Sequence, residues 1–263
     1  MNVINKIIND KITCYFISPH LDDAILSAGG LIDYLANKTR VEIITIFTQA
    51  TPRPYTRFCK KFMSDCGYTD ADLFFQDRRK EDEIVCKKVK VDYQHLEFID
   101  VAWRKKQSPN LIEKLSGIIH PEVLHLYPLG RNFMSGKTVE EDKEMISEIT
   151  KKLQSFMFYA SRFKKSIIFS PLAIGNHVDH VIVRNICSEI FPLEKLIFWT
   201  DYPYSEWGQT PEDFISKLKL KSFSWGKNSE KKRDLILGYK TQIPALFPRG
   251  LSKVPPEVFY SKA

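Results

Sequence analysis

Short apolar runs alternate with amphipathic stretches along most of the chain. Compact runs rich in Ile, Val and Phe are typical of buried strands, and apolar residues three and four positions apart are typical of helices. The predicted strands are 12–18, 41–48, 95–99, 166–171 and 195–200. The predicted helices are 22–37, 77–90, 139–159 and 178–190. This alternation predicts an α/β fold with a mostly parallel central sheet flanked by helices.

The chain is expected to form one domain over residues 1–263, because it contains no repeat and no low-complexity linker. Residues 51–70 lack a regular pattern and are interpreted as a long insertion near the strand ends. The 263 residues include 18 Phe and 11 Tyr, enough to bury a sizeable core. This composition excludes a predominantly disordered chain.

The sequence offers no membrane-spanning segment, since no stretch approaches the roughly 18 apolar residues that a span needs. Lys6, Asp10 and Lys11 interrupt the apolar residues at the N-terminus, which is therefore interpreted as mature sequence rather than a signal peptide. The five cysteines are scattered and form no CxxC pair. They predict reduced thiols in a cytoplasmic protein.

The chain is basic, with a net charge of +7, and the excess lies near its end. Residues 216–253, the basic C-terminal flank, contain ten basic and two acidic residues and so carry +8. Aromatic residues interleave with these lysines, but no recognised nucleic-acid-binding pattern is present, so no specific nucleic-acid partner is expected. The flank is predicted to border an anionic substrate or to meet solvent.

Two short motifs combine histidine with aspartate directly after predicted strands. PHLDD occupies residues 19–23, and NHVDH occupies residues 176–180. Ligands bind at the carboxyl ends of strands in open α/β sheets, and residues three apart at the start of a helix can face one point. At this chain's composition each pattern is expected far less than once by chance. We therefore interpret the two motifs as parts of one site.

These residue types suit metal-assisted hydrolysis. Two histidines and one carboxylate with a fourth position open are the ligands of a catalytic zinc rather than a structural one. Such a metal lowers the pKa of a bound water and polarises an amide or ester carbonyl. Asp22 is then free to take the proton of the water, and His177 to stabilise the oxyanion and protonate a leaving amine. Iron or another divalent ion also suits this kind of ligand set.

The sequence SPHLDDAILSAGG at 18–30, together with NHVDH at 176–180, resembles the PIG-L/LmbE family of zinc-dependent N-acetylglucosaminyl deacetylases. The resemblance covers roughly residues 12–247. Its further matches are Arg78-x-x-Glu81-Asp82, Asp100, Asp201-Tyr202-Pro203-Tyr204 and Tyr239-Lys240-Thr241-Gln242. It implies a Rossmann-like, LmbE-like fold and removal of an acetyl group from an N-acetylated sugar or glycoconjugate.

The resemblance also implies a role for individual residues. Asp22 would be the general base, His177 the electrostatic or acid partner, and Asp179 would orient or tune His177. The implied zinc ligands are His20, Asp23 and His180. The implied contacts to sugar hydroxyls are Ser27, Arg78 and Asp100.

The chain departs from the family's commonest motifs, HPDDE and HPDH. Leu21 replaces the proline and Ala24 the glutamate of the first motif, and Val178 replaces the proline of the second. None of the implied ligands is lost. The departures indicate a branch away from the best-known sugar deacetylases.

An alternative interpretation is a Rossmann-like module that binds a nucleotide or nucleotide-sugar without catalysis. The first strand–helix turn lacks GxGxxG, and Gly29 and Gly30 lie too deep in the predicted helix to cradle a pyrophosphate. Other residues are interpreted as packing or surface positions. These are His95, His120, His125, Trp103, Trp199, Trp207 and Trp225.

Overall fold

The computed structural model describes residues 3–161, 165–251 and 253–262, and its strands form one sheet of seven. The strands are β1 (Thr13–Ser18), β2 (Val41–Gln49), β3 (Asp92–Ile99), β4 (Ser166–Pro171), β5 (Leu196–Trp199), β6 (Leu220–Trp225) and β7 (Glu257–Lys262). Their order across the sheet is β3-β2-β1-β4-β5-β7-β6. The pairs from β3 to β5 are parallel, whereas β7 pairs antiparallel with both β5 and β6. The mixed α/β fold with a mostly parallel sheet is therefore confirmed.

Helices cover both faces of this sheet. They are α1 (Val3–Asn9), α2 (Asp23–Ala36), α3 (Arg57–Asp65), α4 (Ala71–Val89), α5 (Leu111–Ser116), α6 (Gly130–Phe133), α7 (Asp142–Ser161), α8 (Val178–Ile190), α9 (Glu212–Leu218), α10 (Ser229–Ile236) and α11 (Ile243–Leu246). Two clusters of buried apolar residues lie on opposite sides of the sheet. In β1, Tyr15 and Ile17 belong to one cluster and Cys14 and Phe16 to the other, as alternation along a strand requires.

The predicted elements all exist, with shifted ends. Helix α4 begins six residues before its predicted start at 77, because the Asp70 side chain accepts hydrogen bonds from the backbone N–H groups of Asp72 and Leu73 and so caps it there. The irregular segment 51–70 contains α3, capped by the hydroxyl of Thr56. A short helix within a loop-rich segment leaves only a weak periodic signal in the sequence.

The basic C-terminal flank does not simply meet solvent, because much of it is built into the fold. Strand β6 forms an edge of the sheet, and α10 packs on α2. Lys232 of α10 is only 2% exposed, and its ammonium lies 3.4 Å from the Glu257 carboxylate. One lysine of this flank is therefore a buried structural cation.

No helix within the described residues is both long and apolar enough to span a membrane. The extent of the domain over residues 1–263 stays a prediction.

Candidate metal and substrate site

The two His/Asp motifs meet because their strands are neighbours. Strand β1 pairs in parallel with β4, with Phe16 opposite Phe169, so the loops that follow the two strands emerge at the same edge of the sheet. The loop after β1 is held by Ser18, whose hydroxyl donates to the carbonyl of His20 at 2.7 Å and accepts from the N–H of Ala24 at 3.1 Å. This turn directs His20 and the first residues of α2 toward the second motif.

Asp23 links one histidine from each motif. Its Oδ2 lies 3.0 Å from His20 Nδ1 and 3.2 Å from His180 Nε2. All three side chains are at least nine-tenths buried. Burial alone would lower the pKa of His180, but the carboxylates of Asp23 and Asp201 outweigh it and raise that pKa to about 9. Asp23 is thus a buried carboxylate that contacts two imidazoles.

The histidines and carboxylates at this edge of the sheet offer ligand atoms for a divalent metal ion. Nε2 of His180 is fully buried and lies 3.2 Å from Asp23 Oδ2 without the geometry of a hydrogen bond to any described residue, an arrangement that a bound metal ion would satisfy. Two groups in the described chain hold three ligand atoms within 4.8 Å of one another, and these groups are His20–His177–His180 and His20–Asp100–Asp179. Imidazole and carboxylate donors of this kind bind zinc and other transition metals.

Asp22 lies beside this cluster with its carboxylate facing the cavity. The side chain makes no hydrogen bond to any described residue, and the closest cation is Arg78, whose Nη2 lies 3.8 Å from Oδ1. Burial and the neighbouring Asp23 raise the pKa of Asp22 to about 6, against the opposing pull of Arg78 and His20. Its oxygens are therefore free to accept a proton from a molecule in the cavity.

His177 lies across the cavity and is kept neutral. Burial, followed by the nearby His20 and His180, lowers its pKa well below the usual value. Its Nδ1 has no hydrogen-bond partner in the described part of the chain. The ring stands edge-on to His20, with 5.0 Å between the two ring centroids.

Asp179, which the resemblance implies would orient or tune His177, makes a hydrogen bond to His20, while its charge acts on the pKa of His177. Its Oδ2 accepts from His20 Nε2 at 3.1 Å and from the backbone N–H of Val101 at 2.9 Å, and its Oδ1 pairs with Arg104. None of its hydrogen bonds within the described residues reaches His177. The difference arises because Val101 and Arg104, which follow β3, draw the carboxylate toward the first motif.

His20, Asp22, Asp23 and His177 line a cavity of about 130 Å³ at the end of the sheet. Its aromatic and aliphatic lining is Leu26, Phe58, Phe62, Ala102, Trp103, Phe133, Pro203, Tyr204 and Leu246. Phe58 and Phe62 come from α3, so the predicted insertion supplies one wall. Trp103 is 2% exposed and packs edge-on against Phe75, with 5.0 Å between ring centroids. Its side chain also forms part of the cavity wall. Gln242 of the basic flank adds a polar group to the lining.

Two of the three residues predicted to contact a sugar reach the cavity. Arg78 and Asp100 both line it, and Arg78 Nη1 lies 3.9 Å from Asp100 Oδ2. Ser27 does not reach the cavity. It is buried in α2, where its hydroxyl accepts from the backbone N–H of Tyr202 at 3.1 Å. The hydroxyl of Ser27 therefore faces the loop that follows β5.

The structure adds residues to the site whose roles the sequence did not indicate. Asp201 Oδ1 lies 2.7 Å from His180 Nδ1, and Asp201 Oδ2 accepts from the N–H of Ile174, so one carboxylate holds both the histidine and its loop. Arg104 pairs with Asp179 and also with Asp142 at 3.3 Å. Asp201 follows β5 in the sequence, a position that signals a site residue in this kind of sheet. Arg104 carries no such signal.

Comparison with known proteins gives matches over most of the chain. The model of the PIG-L family, described as GlcNAc-PI de-N-acetylase, matches residues 15–191. The 2'-N-acetylparomamine deacetylase of Niallia circulans is 26% identical over 258 residues, which cover 90% of this chain and 83% of that protein. A protein of the same description from Streptomyces fradiae is 23% identical over 196 residues, covering 72% of this chain and 56% of that protein.

Solved structures share the fold over nearly the whole chain. A deacetylase in complex with teicoplanin, from the biosynthesis pathway of teicoplanin, superposes with a TM-score of 0.68 at 21% identity, covering 95% of this chain and 97% of that one. The zinc-inhibited form of a teicoplanin deacetylase gives a TM-score of 0.66 at 20% identity, covering 94% and 97%. At this level of identity the likeness establishes an LmbE-like fold.

Proposed function

The chain belongs to the PIG-L family, and we propose that it is a metal-dependent amide hydrolase that removes an acetyl group from an N-acetylated sugar or glycoconjugate. The observation that carries this proposal is the meeting of PHLDD and NHVDH at one cavity, where Asp23 lies against both His20 and His180. The curated relatives, both described as 2'-N-acetylparomamine deacetylases, support an N-acetylated amino sugar as the kind of substrate.

We propose His20, Asp23 and His180 as the residues that hold the metal. The buried Nε2 of His180, which makes no hydrogen bond of good geometry, and the position of Asp23 Oδ2 between two imidazoles support this set. Zinc suits the ligands, and iron or another divalent ion suits them as well. When bound, such an ion polarises the amide carbonyl and makes a water molecule more acidic.

Asp22 is proposed as the general base. Its carboxylate faces the cavity next to Asp23 and is not engaged by a hydrogen bond from the described residues. A base must lie within hydrogen-bond reach of the proton that it removes, and Asp22 lines the cavity together with two of the proposed metal ligands, His20 and Asp23. Arg78 lies close enough to steady the carboxylate in its ionised form before the proton moves.

His177 is proposed to act on the opposite side of the scissile amide. The ring lines the cavity, and its neutral form carries one N–H that can donate to the oxyanion as negative charge develops on the former carbonyl oxygen. The proton that Asp22 takes from water must reach the leaving nitrogen, and His177 faces the same space to assist that transfer. Asp179 supports the site by holding His20.

Arg78 and Asp100 are proposed to bind the sugar. Both are buried side chains that expose polar atoms to the cavity, and together they offer a donor and an acceptor for hydroxyl groups. The aromatic residues Phe58, Phe62 and Trp103 supply flat apolar surface of the kind that packs on a pyranose ring. Ser27 is left out of this set.

The nucleotide-binding alternative gains no support from the glycines of α2. The N–H of Gly30 donates to Glu257 at 2.7 Å, and a Cβ at this residue would lie 2.9 Å from the carbonyl oxygen of Lys227. Gly30 therefore permits close packing of α10 and β7 on α2, away from the cavity.

The proposed function is tested by measuring acetate release from a panel of N-acetylated amino sugars, with N-acetylparomamine included, by protein loaded with zinc or iron. We expect acetate and free amine in equal amounts from at least one substrate. Removing the metal with a chelator should stop the release of acetate, and adding the metal back should restore it. Failure of the metal-loaded protein to release acetate from any member of the panel would count against the proposed reaction.

A further inference from the structure

Five large aliphatic side chains stand exposed within nine residues, outside the site described above. They are Leu111, Ile112, Leu115, Ile118 and Ile119, and each is between 62% and 78% exposed. We call them the aliphatic ridge. Single exposed aliphatic residues are ordinary on protein surfaces, but a contiguous group of this size marks a binding surface.

The ridge is presented by an ordered segment. Asn110 caps α5 by accepting from the N–H of Glu113, and the Glu113 side chain accepts in return from the N–H of Asn110. Leu111, Ile112 and Leu115 project from this helix, and Ile118 and Ile119 continue from the turn after it. The spacing places all five on one side, as in a short amphipathic helix. The reciprocal capping of α5 therefore stabilises the helix that carries the ridge, and the five side chains stay exposed.

The ridge continues into a groove against α3. This groove has a volume of about 460 Å³, and Ile118 and Ile119 form one wall of it. Tyr55 and Met63 contribute to the opposite side, with Arg53 and Lys60 among the lining residues. The apolar surface is therefore joined to two exposed cations.

Positive charge surrounds this surface. The segments 51–65 and 105–125 contain seven basic and three acidic residues. The three acids are engaged within the fold: Glu113 by Lys106, Glu122 by the N–H of Arg57, and Asp65 by Lys61. Arg53 lies 3.8 Å from Asp70, so the cations of these segments that form no ion pair with a described residue are Arg57, Lys60, Lys105 and Lys114. The basic residues are Arg53, Arg57, Lys60, Lys61, Lys105, Lys106 and Lys114.

We propose that the aliphatic ridge docks this protein on the surface of an anionic lipid bilayer. Apolar side chains that enter the headgroup region, with lysines beside them that meet acidic lipids, bind membranes peripherally without spanning them. A second copy of the chain is a poorer occupant, because a two-fold interface places the same surface against itself and would bring Lys60 and Lys114 toward like charges. This proposal does not depend on the deacetylation proposed above, because the ridge lies outside the cavity.

Docking in this way would bring the cavity close to the lipid surface. Helix α3 presents Lys60 and Met63 to the groove and Phe58 and Phe62 to the cavity, so a single helix separates the two. The proposed membrane contact and the proposed substrate site therefore lie on adjoining faces of the molecule.

Vesicle co-sedimentation tests this proposal with the intact protein. We expect binding to vesicles rich in phosphatidylglycerol, weak binding to pure phosphatidylcholine, and release by high salt. Ile112→Asp combined with Ile118→Asp should lower the partition coefficient by about tenfold or more. Lys60→Gln and Lys114→Gln should each lower it by up to about fivefold. Leu73→Asp combined with Ile84→Asp is the matched control, because these aliphatic residues of α4 are also exposed, and it should bind as the parent does.

Absence of binding to the phosphatidylglycerol vesicles, or equal binding by the parent and the ridge double variant, would overturn the proposal. So would a dimer in solution that the ridge variant dissociates, since a second copy would then be the occupant. The substituted side chains are exposed, so the far-ultraviolet circular dichroism and melting temperature of each variant should match the parent.

Discussion

Asp179 accepts a hydrogen bond from Nε2 of His20 at 3.1 Å, and this contact joins the second His/Asp motif to the first. With Nε2 held in this way, the other ring nitrogen of His20 faces Asp23. A metal-binding histidine commonly donates its second N–H to a carboxylate, which fixes the ring and its tautomer. Asp179 would serve the proposed metal ligand His20 as such a partner, and Arg104 pairs with Asp179 in turn.

Replacing Asp179 by asparagine should weaken zinc binding by about tenfold to a hundredfold, because His20 loses its charged orienting partner. Competition with a chromophoric chelator measures the affinity directly. Asp77→Asn, on the exposed side of α4, provides the control. An unchanged zinc affinity in Asp179→Asn would show that the contact to His20 has no role in holding the metal.

Arg104 should contribute far more to stability than a surface arginine with the same number of partners. It is buried between Asp142 and Asp179, so Arg104→Met leaves two buried carboxylates without their cation and should cost about 3–5 kcal/mol in the free energy of unfolding. Arg40 also pairs with two carboxylates but is half exposed, and Arg40→Met should cost less than about 1 kcal/mol. Urea unfolding measures the free energy of unfolding of both variants. Similar decreases for Arg104→Met and Arg40→Met would contradict this account.

The buried pair of Lys232 and Glu257 should behave as a coupled unit. Glu257 accepts from the N–H groups of Gly30 and Leu31, just after the non-helical residue Ala28 in α2. Lys232→Met should cost about 3–5 kcal/mol because it leaves that carboxylate buried without a cation. Adding Glu257→Gln should recover part of this loss, so the two single losses together should exceed the loss of the double variant. Additive losses in urea unfolding would mean that the pair is not coupled.

The cysteines should be unreactive while the protein is folded. All five are free and buried, and burial raises the pKa of Cys66 to about 11 and those of Cys59 and Cys187 to about 12. Because the thiolate is the reactive form, a chromogenic disulfide reagent at mildly alkaline pH should label the native protein slowly. After denaturation five thiols should react at once. Rapid labelling of the native protein would show that at least one thiol is exposed.

The parts of the site that the sequence predicted are those with a local pattern. The residues of PHLDD and NHVDH follow buried strands whose apolar runs are clear, and parallel pairing of β1 with β4 brings them together. Arg104 and the orienting contact of Asp179 could not be predicted in the same way, because they depend on how the turn after β3 approaches another loop. The hydrogen bond from the backbone of Tyr202 to Ser27 is likewise a contact between distant segments that no local pattern indicates, and the sugar contact of Ser27 stays a prediction.

The sequence pattern predicted the helices and the buried parallel strands, but it did not predict the edge of the sheet formed by β6 and β7. Strands β6 and β7 pair antiparallel, and the exposed positions of β6 include Lys221 and Ser222, so this strand has no continuous apolar run. The basic residues in and around β6 are typical of a segment exposed to solvent. Only the pairing with β7, more than thirty residues later in the chain, identifies it as part of the sheet.

The central claim is that Asp22 acts as the base in a metal-dependent deacetylation. The most direct measurement compares acetate release by the parent and Asp22→Asn at equal bound zinc, on a substrate that the parent hydrolyses. The account predicts that the variant keeps its zinc and loses activity by about a hundredfold to ten-thousandfold, because the proton of the water has no acceptor. Activity equal to that of the parent at the same zinc content would contradict it.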